Sequence, residues 1–200
     1  MLRTIKIIIS NVLKSVYQPF LFALVLSVFV MFFAMYLEKY KRIRVKDRIF
    51  KGLKDWKNSF KESVKFRRLF YLVIILVMIL FMTLLNRDME LNPVANVNGV
   101  WGLYDNHGRF TTQMIENIML FIPLIFFLFF FLETTSKRTS KFLAVMGRAI
   151  AISFLSSLAI EMLQLFLHLG TWQLSDLAFN TLGGVIGGLI YWVSAKCRGV

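Results

Sequence analysis

From Pro19 to Leu37 the chain runs for nineteen residues without a charge, PFLFALVLSVFVMFFAMYL. An α-helix needs about 20 apolar residues to cross a bilayer, and the pattern returns four times. Leu69 to Leu85 is again uncharged. Ile118 to Leu132 is shorter and gains a turn by starting nearer Thr112. Ala149 to Leu169 holds a single acid, Glu161, and Leu177 to Ala195 is uncharged but carries Asn180 and four glycines. Backbone groups in lipid have no water to bond, which excludes open β-structure and leaves helices. Met1 to Val16 carries Arg3, Lys6 and Lys14, but the apolar run after it is too long for a signal-peptide core and no A-x-A site follows. The first span is therefore kept. The fold class expected is all-α: a polytopic membrane helix bundle of about five transmembrane helices, plus one amphipathic interfacial helix.

That interfacial helix is read from the charge. Lysine and arginine number 24 against 11 aspartates and glutamates, a net charge of +13. In a soluble chain such an excess points to nucleic acid; beside membrane spans it is a topology signal. Thirteen basic residues lie between Glu38 and Arg68 against four acids, whereas Asn86 to Glu116 has only Arg87 and Arg109. Lys137, Arg138, Lys141 and Arg148 follow the third span, and Lys196 and Arg198 follow the fifth. The positive-inside rule then puts residues 38–68 and the C-terminus in the cytoplasm and the N-terminus outside, with the three basic residues of the N-terminal segment opposing. Within the basic stretch Ile49, Leu53, Trp56, Phe60 and Val64 recur at helical spacing and lysines fill the other face. Residues 46–65 are thus expected to lie on anionic inner-leaflet lipids, or to dock a membrane partner, and not to bind nucleic acid. The chain divides into residues 1–68, an N-terminal membrane helix with its basic segment, and residues 69–200, the remaining spans.

An acid at mid-helix costs about 2.5–3.5 kcal/mol on the insertion scale and is usually functional. Ser157, Glu161, Gln164 and His168 are spaced 4, 3 and 4, one polar stripe on the fourth span. Gly170 reads as the stop of that helix, and Ser175-Asp176 as the N-cap pair of the next. On the fifth span Asn180, Gly183, Gly184 and Gly187 share a face; Gly183-xxx-Gly187 and Gly184-xxx-Gly188 are small-xxx-small pairs that admit a close neighbour. The third span opens with Asn117 and carries Pro123, which frees the carbonyl near Met119. Asn117, Glu161, Gln164, Asp176 and Asn180 therefore converge from three helices on one half of the bundle. They serve either as a ligand groove or as hydrogen-bonded glue between helices.

Catalytic signatures are missing: there is no Walker loop, HExxH, GxSxG or CxxC, and His107 and His168 lack metal-ligand spacing. One cysteine, Cys197, makes neither an internal disulfide nor a thiolate cluster. No metal and no cofactor is expected.

Three ordered blocks resemble the VanZ-like membrane proteins. Asn117 with Phe121 and Pro123 looks like their N-x-x-x-F-x-P, and Glu161 with Gln164 like their E-x-x-Q. Leu174-Ser175-Asp176 followed by Asn180-Thr181-Leu182-Gly183-Gly184 and Gly187 is similar to their D-[IL]-x-D-x-x-x-N-T-x-G-G-x-x-G, and Leu91-Asn92-Pro93 to a short loop element. Gln173 stands where that pattern has its first acid, so Asp176 is left as the only carboxylate of the pair. The family takes its name from a membrane protein associated with low-level teicoplanin resistance. The resemblance implies a bacterial cell-envelope protein that lowers susceptibility to such lipoglycopeptides by binding or excluding a lipid-linked molecule at the outer leaflet: a membrane lipid, a cell-wall precursor or the drug itself. Two other classes stay open, an intramembrane enzyme with Glu161 as acid/base and Asp176 as its partner, and a structural subunit docking through the basic helix.

Overall fold

The computed structural model describes residues 2–39, 45–105, 107–134 and 141–199. Six helices follow in chain order: α1 Leu2–Lys39, α2 Val45–Glu62, α3 Val64–Leu80, α4 Gln113–Leu132, α5 Phe142–Leu167 and α6 Leu174–Cys197. A single π-helical turn, Phe81–Leu85, continues α3. Among the described residues five helices are long and apolar enough to cross a membrane: Thr4–Leu37, Val64–Leu85, Gln113–Leu132, Phe142–Leu167 and Leu174–Cys197. All five expected spans are present and the chain is a multi-pass membrane protein. Lys137 and Arg138 lie outside the described residues.

The helix ends differ from the sequence reading in ways that have physical causes. The first span does not begin at Pro19; α1 runs unbroken from Leu2, with Pro19 buried inside it. Asn11 donates to the Thr112 hydroxyl at 3.0 Å, which ties the N-terminal part of α1 to the start of α4. α5 stops not at Gly170 but at His168, which takes the left-handed conformation (φ 54°) while the Leu169 N–H closes onto the Gln164 carbonyl at 2.9 Å. α6 starts one residue before Ser175, and its first-turn side chains do not cap it. Ser175 Oγ accepts from the Val100 N–H at 3.1 Å and Asp176 turns toward α4.

α2 also departs from a helix lying free on lipid. Trp56 stacks on Phe60 (5.5 Å), and both meet Phe70 edge-on at 5.7 and 5.5 Å, with Phe66 against Trp56. The aromatic part of its apolar face is spent on the first turns of α3, while Leu53 stays exposed. Ser63 separates the two helices and caps α3 by accepting from the Phe66 N–H at 3.2 Å.

The spans alternate in direction and pack in layers. α1 and α3 share Ala23, Met31, Phe70, Ile74 and Val77. α3, α4 and α5 contribute Leu72, Ile79, Phe121, Leu124 and Ile160 to one packed cluster. α4, α5 and α6 close on Ile125, Phe129, Val145, Ala149 and Tyr191. The glycines of α6 work on two adjoining faces, not one. A Cβ on Gly183 or Gly187 would meet the backbone of Ile118 or Ile122 in α4; one on Gly184 or Gly188 would meet Ser153 or Ala149 in α5. α6 is wedged between two helices, and a bare Cα faces each of them.

At the end of the bundle where α2 lies, Glu133 holds two arginines: Arg198 at 2.7 Å and Arg68 at 3.5 Å. Both guanidinium groups also face the Phe130 ring, at 3.6 Å for Arg68 and 5.1 Å for Arg198. At the opposite end, residues 86–105 and 107–112 form an irregular loop laid along the α5–α6 turn. Its bonds run in sequence: Glu90 N–H to His168 O, Gly170 N–H to Asp88 O, Trp172 N–H to Pro93 O and Leu174 N–H to Val97 O, all between 2.7 and 3.1 Å. Gly99 (φ +71°) lets the loop approach α6, since a Cβ there would sit 2.8 Å from Gln173 Oε1.

Candidate functional site

The polar residues of α4, α5 and α6 gather under that loop. Glu161 is 2% exposed, Gln164 2%, Asp176 4%, Asn180 4% and Asn117 8%. Burial at this level demands partners, because an unpaired buried polar group costs about 1–3 kcal/mol. Four of the five find one within the protein. Glu161 Oε2 accepts from the Gln173 N–H at 2.9 Å, a donor supplied by the turn that the loop clamps. Gln164 Nε2 donates to the Thr83 carbonyl at 2.7 Å, in the π-helical turn. Asn180 Nδ2 donates to Ser157 Oγ at 2.9 Å, joining α6 to α5. Asp176 accepts from Gln113 Nε2 at 2.9 Å on one oxygen and 3.1 Å on the other.

Gln113 is the residue that sequence reasoning missed. It begins α4, and its amide also reaches Gln173 Oε1 at 3.1 Å. It therefore links Glu161's partner residue to Asp176 in one chain. Gln113 and Asn117 are one helical turn apart and so share a face, a signal available once α4 is started at Thr112. Gln173, met first as a substitution for an acid, turns out to be a hub: its N–H holds Glu161 and its side chain contacts Gln113 and Thr171.

Asn117 differs from the other four. Its amide lies near enough to Asp176 to steady that carboxylate, but outside hydrogen-bond geometry, which leaves Nδ2 without a partner. It lines a pocket of about 250 Å³ with Thr83, Asn86, Arg87, Gln113 and Glu116, floored by Met82 and Leu120. Arg87 acts electrostatically on both Asp176 and Glu161, and Asp176 acts on Glu161. A second pocket of about 410 Å³ lies above the network, lined by Asn96, Asp105, His107, Arg109, Gln113 and Gln173. Gln113 lines both pockets. Asp105 closes its own turn by accepting from the Arg109 and His107 N–H groups at 2.8 and 2.9 Å and from Arg109 Nε at 2.8 Å. The Arg109 backbone bond foremost holds the Asp105 carboxyl below its ordinary value of 3.8. Among the described residues no three His, Cys, Asp or Glu side chains gather to hold a metal ion.

The arrangement has two layers. A buried carboxylate network fixes the ends of α4, α5 and α6, and in front of it a small pocket presents an arginine, an unpaired amide donor and a glutamate. The family model described as VanZ/LLP1 matches residues 66–195, about two thirds of the chain, and spans every residue of both layers. No curated protein and no solved structure matches the chain.

Proposed function

The chain belongs to the VanZ/LLP1 family, and on that premise we propose that it is a bacterial protein that lowers susceptibility to teicoplanin-like lipoglycopeptides. It would act by binding or excluding a lipid-linked molecule whose polar head enters the pocket of Arg87 and Asn117. The observation that carries this reading is the orphaned Asn117 donor beside an arginine that makes no hydrogen bond or ion pair of its own among the described residues. Glu161, Gln164, Asp176 and Asn180 stand behind that pocket, and their role in binding is to hold its wall. We place this end of the bundle at the outer leaflet and the α2 end in the cytoplasm. Lys51, Lys54, Lys57 and Lys61 are exposed on α2 and suit anionic inner-leaflet lipids. Arg68, Lys196 and Arg198 sit at the same end.

A second reading, an intramembrane acid/base pair, is favoured by the electrostatic reach between Glu161 and Asp176. The test is the minimum inhibitory concentration of teicoplanin for a susceptible host expressing the chain. Wild type should raise it, and Arg87→Ala or Asn117→Ala should return it to baseline at unchanged membrane abundance. Full resistance in both variants would refute the pocket. Loss confined to Glu161→Gln and Asp176→Asn would move the function to the acid pair.

A further inference from the structure

Arg87 and Glu116 line the same small pocket, yet no ion pair joins them among the described residues. Opposite charges that share a pocket and do not meet suit a ligand carrying both signs. Glu116 is held where it is: its Oε1 accepts from the Thr112 hydroxyl at 2.5 Å, and Thr112 in turn accepts from Asn11 on α1. Its other oxygen accepts no hydrogen bond among the described residues. On the opposite side Arg87 acts electrostatically on Asp176 and Glu161 but makes no hydrogen bond or ion pair among the described residues, and Asn117, nine-tenths buried, offers an amide Nδ2 without a hydrogen-bond partner. Both lie by the N-terminal turn of α4, where backbone dipoles add positive potential.

We infer that this pocket takes a phosphoethanolamine headgroup, with the phosphate on Arg87 and the Asn117 amide and the ammonium on Glu116. The inference rests on the reading of the pocket as a headgroup site and names its chemistry. A primary ammonium donates to Glu116, which a choline, with its three methyls, does not. A glycerol head leaves Glu116 without a cation, and a serine head brings a second carboxylate against it. The Met82 and Leu120 floor belongs to membrane-spanning segments, and Leu85 and Met119 are exposed beside it, so acyl chains attached to the phosphate have an apolar path along α3 and α4.

The test uses the full chain in nanodiscs of equal phosphatidylethanolamine, phosphatidylglycerol and phosphatidylcholine, with the lipids retained after detergent extraction measured by mass spectrometry. Wild type should enrich phosphatidylethanolamine over both others by roughly tenfold, the effect of one charge-assisted contact. Glu116→Gln should erase the preference over phosphatidylglycerol while total retention holds. Arg87→Gln should lose retention of both. Unchanged melting temperatures in the two variants confirm that they fold. An undiminished preference in Glu116→Gln overturns the inference but leaves an anion pocket standing; retention indifferent to Arg87→Gln overturns the pocket itself. Stabilisation by soluble glycerophosphoethanolamine without any retained phospholipid overturns the lipid as the source of the headgroup.

Discussion

Replacing Gly183 by alanine sets two opposed effects against each other, and the sign of the result reports how tightly α4 and α6 are seated. In a helix free of neighbours the change stabilises by about 0.8–1 kcal/mol, the difference in helix propensity. In α6 the new Cβ would lie inside contact distance of the Ile118 carbonyl oxygen and 3.0 Å from the Ile118 carbonyl carbon and Cα. Carbon atoms pack best at 3.5–4.0 Å, so the helices must part by roughly 0.5–1 Å, forfeiting a quarter to a half of each contact across the seam. For a seam of about 40 atom pairs at 0.1–0.2 kcal/mol each, that loss is roughly 1–4 kcal/mol. Taken at the middle of that range, the net effect is a destabilisation of about 1–2 kcal/mol, or roughly 2–8 °C in melting temperature for a chain of this size. Gly147 supplies the control, because a Cβ there meets nothing within 4 Å in the interior of α5. Thermal unfolding of the detergent-solubilised protein should show Gly183→Ala below wild type and Gly147→Ala at or above it. If both variants melt at or above wild type, α4 and α6 are not in backbone contact and the wedge described for α6 is wrong.

Gly184→Leu should lower the melting temperature further, since its Cβ already crowds Ser153 and lies 3.2 Å from Ile125 Cγ1. Glu133→Ala should destabilise more than Arg198→Ala, because it removes the counter-charge of two guanidinium groups whereas Arg198→Ala leaves Glu133 paired with Arg68; with Glu133 and Arg68 only 12% and 14% exposed, about 1–3 kcal/mol is expected in the same assay. The Asp105 turn should persist at neutral pH and below 3.8, then open as pH falls through the lowered value of its carboxyl, followed through the Arg109 and His107 amide shifts; an Asp105 midpoint at or above 3.8 would contradict the bonds described. In a Cys197→Ser background, His107→Cys should react with an impermeant maleimide in intact cells and Lys57→Cys should not. Reversed labelling would invert the proposed orientation.

Hydropathy made the spans legible because lipid imposes one requirement on every residue of a span, and Pro19–Leu37 or Leu69–Leu85 meet it with no tertiary help. Helix ends were less legible. Ser175-Asp176 has the composition of an N-cap, but its side chains serve Val100 and Gln113 instead, so a tertiary partner overrode a local rule. Trp56 and Phe60 read as a lipid-facing stripe because periodicity reports an apolar face and not what covers it; α3 covers it. The polar residues Asn117, Glu161, Gln164, Asp176 and Asn180 were visible as charge and amide in apolar surroundings. Which of them reach a pocket was not, since four are consumed by partners such as Thr83 O and the Gln173 N–H, which no side-chain motif announces. Gln113 escaped notice for the same reason: an amide at a helix start looks like surface until Asp176 is placed opposite it.

The pairing of α5 bears on how the chain enters a membrane during synthesis. Gln164 finds its acceptor 81 residues upstream, on chain already made. Glu161 and Ser157 look the other way: their partners, the Gln173 N–H and Asn180 Nδ2, lie 12 and 23 residues downstream. A ribosome that has just released α5 presents the insertion machinery with a carboxyl group whose donor, the Gln173 N–H, is still unmade. Left there, the segment is a poor substrate for lateral release into lipid. Insertion as an α5–α6 hairpin removes the difficulty, because the 168–173 turn brings its own donor to Glu161 and delivers Asn180 to Ser157 in the same step. Nascent chains arrested before Gln173 should therefore be retained by the insertase or cleared by proteolysis, whereas those extended through Gly188 leave it as an integrated pair.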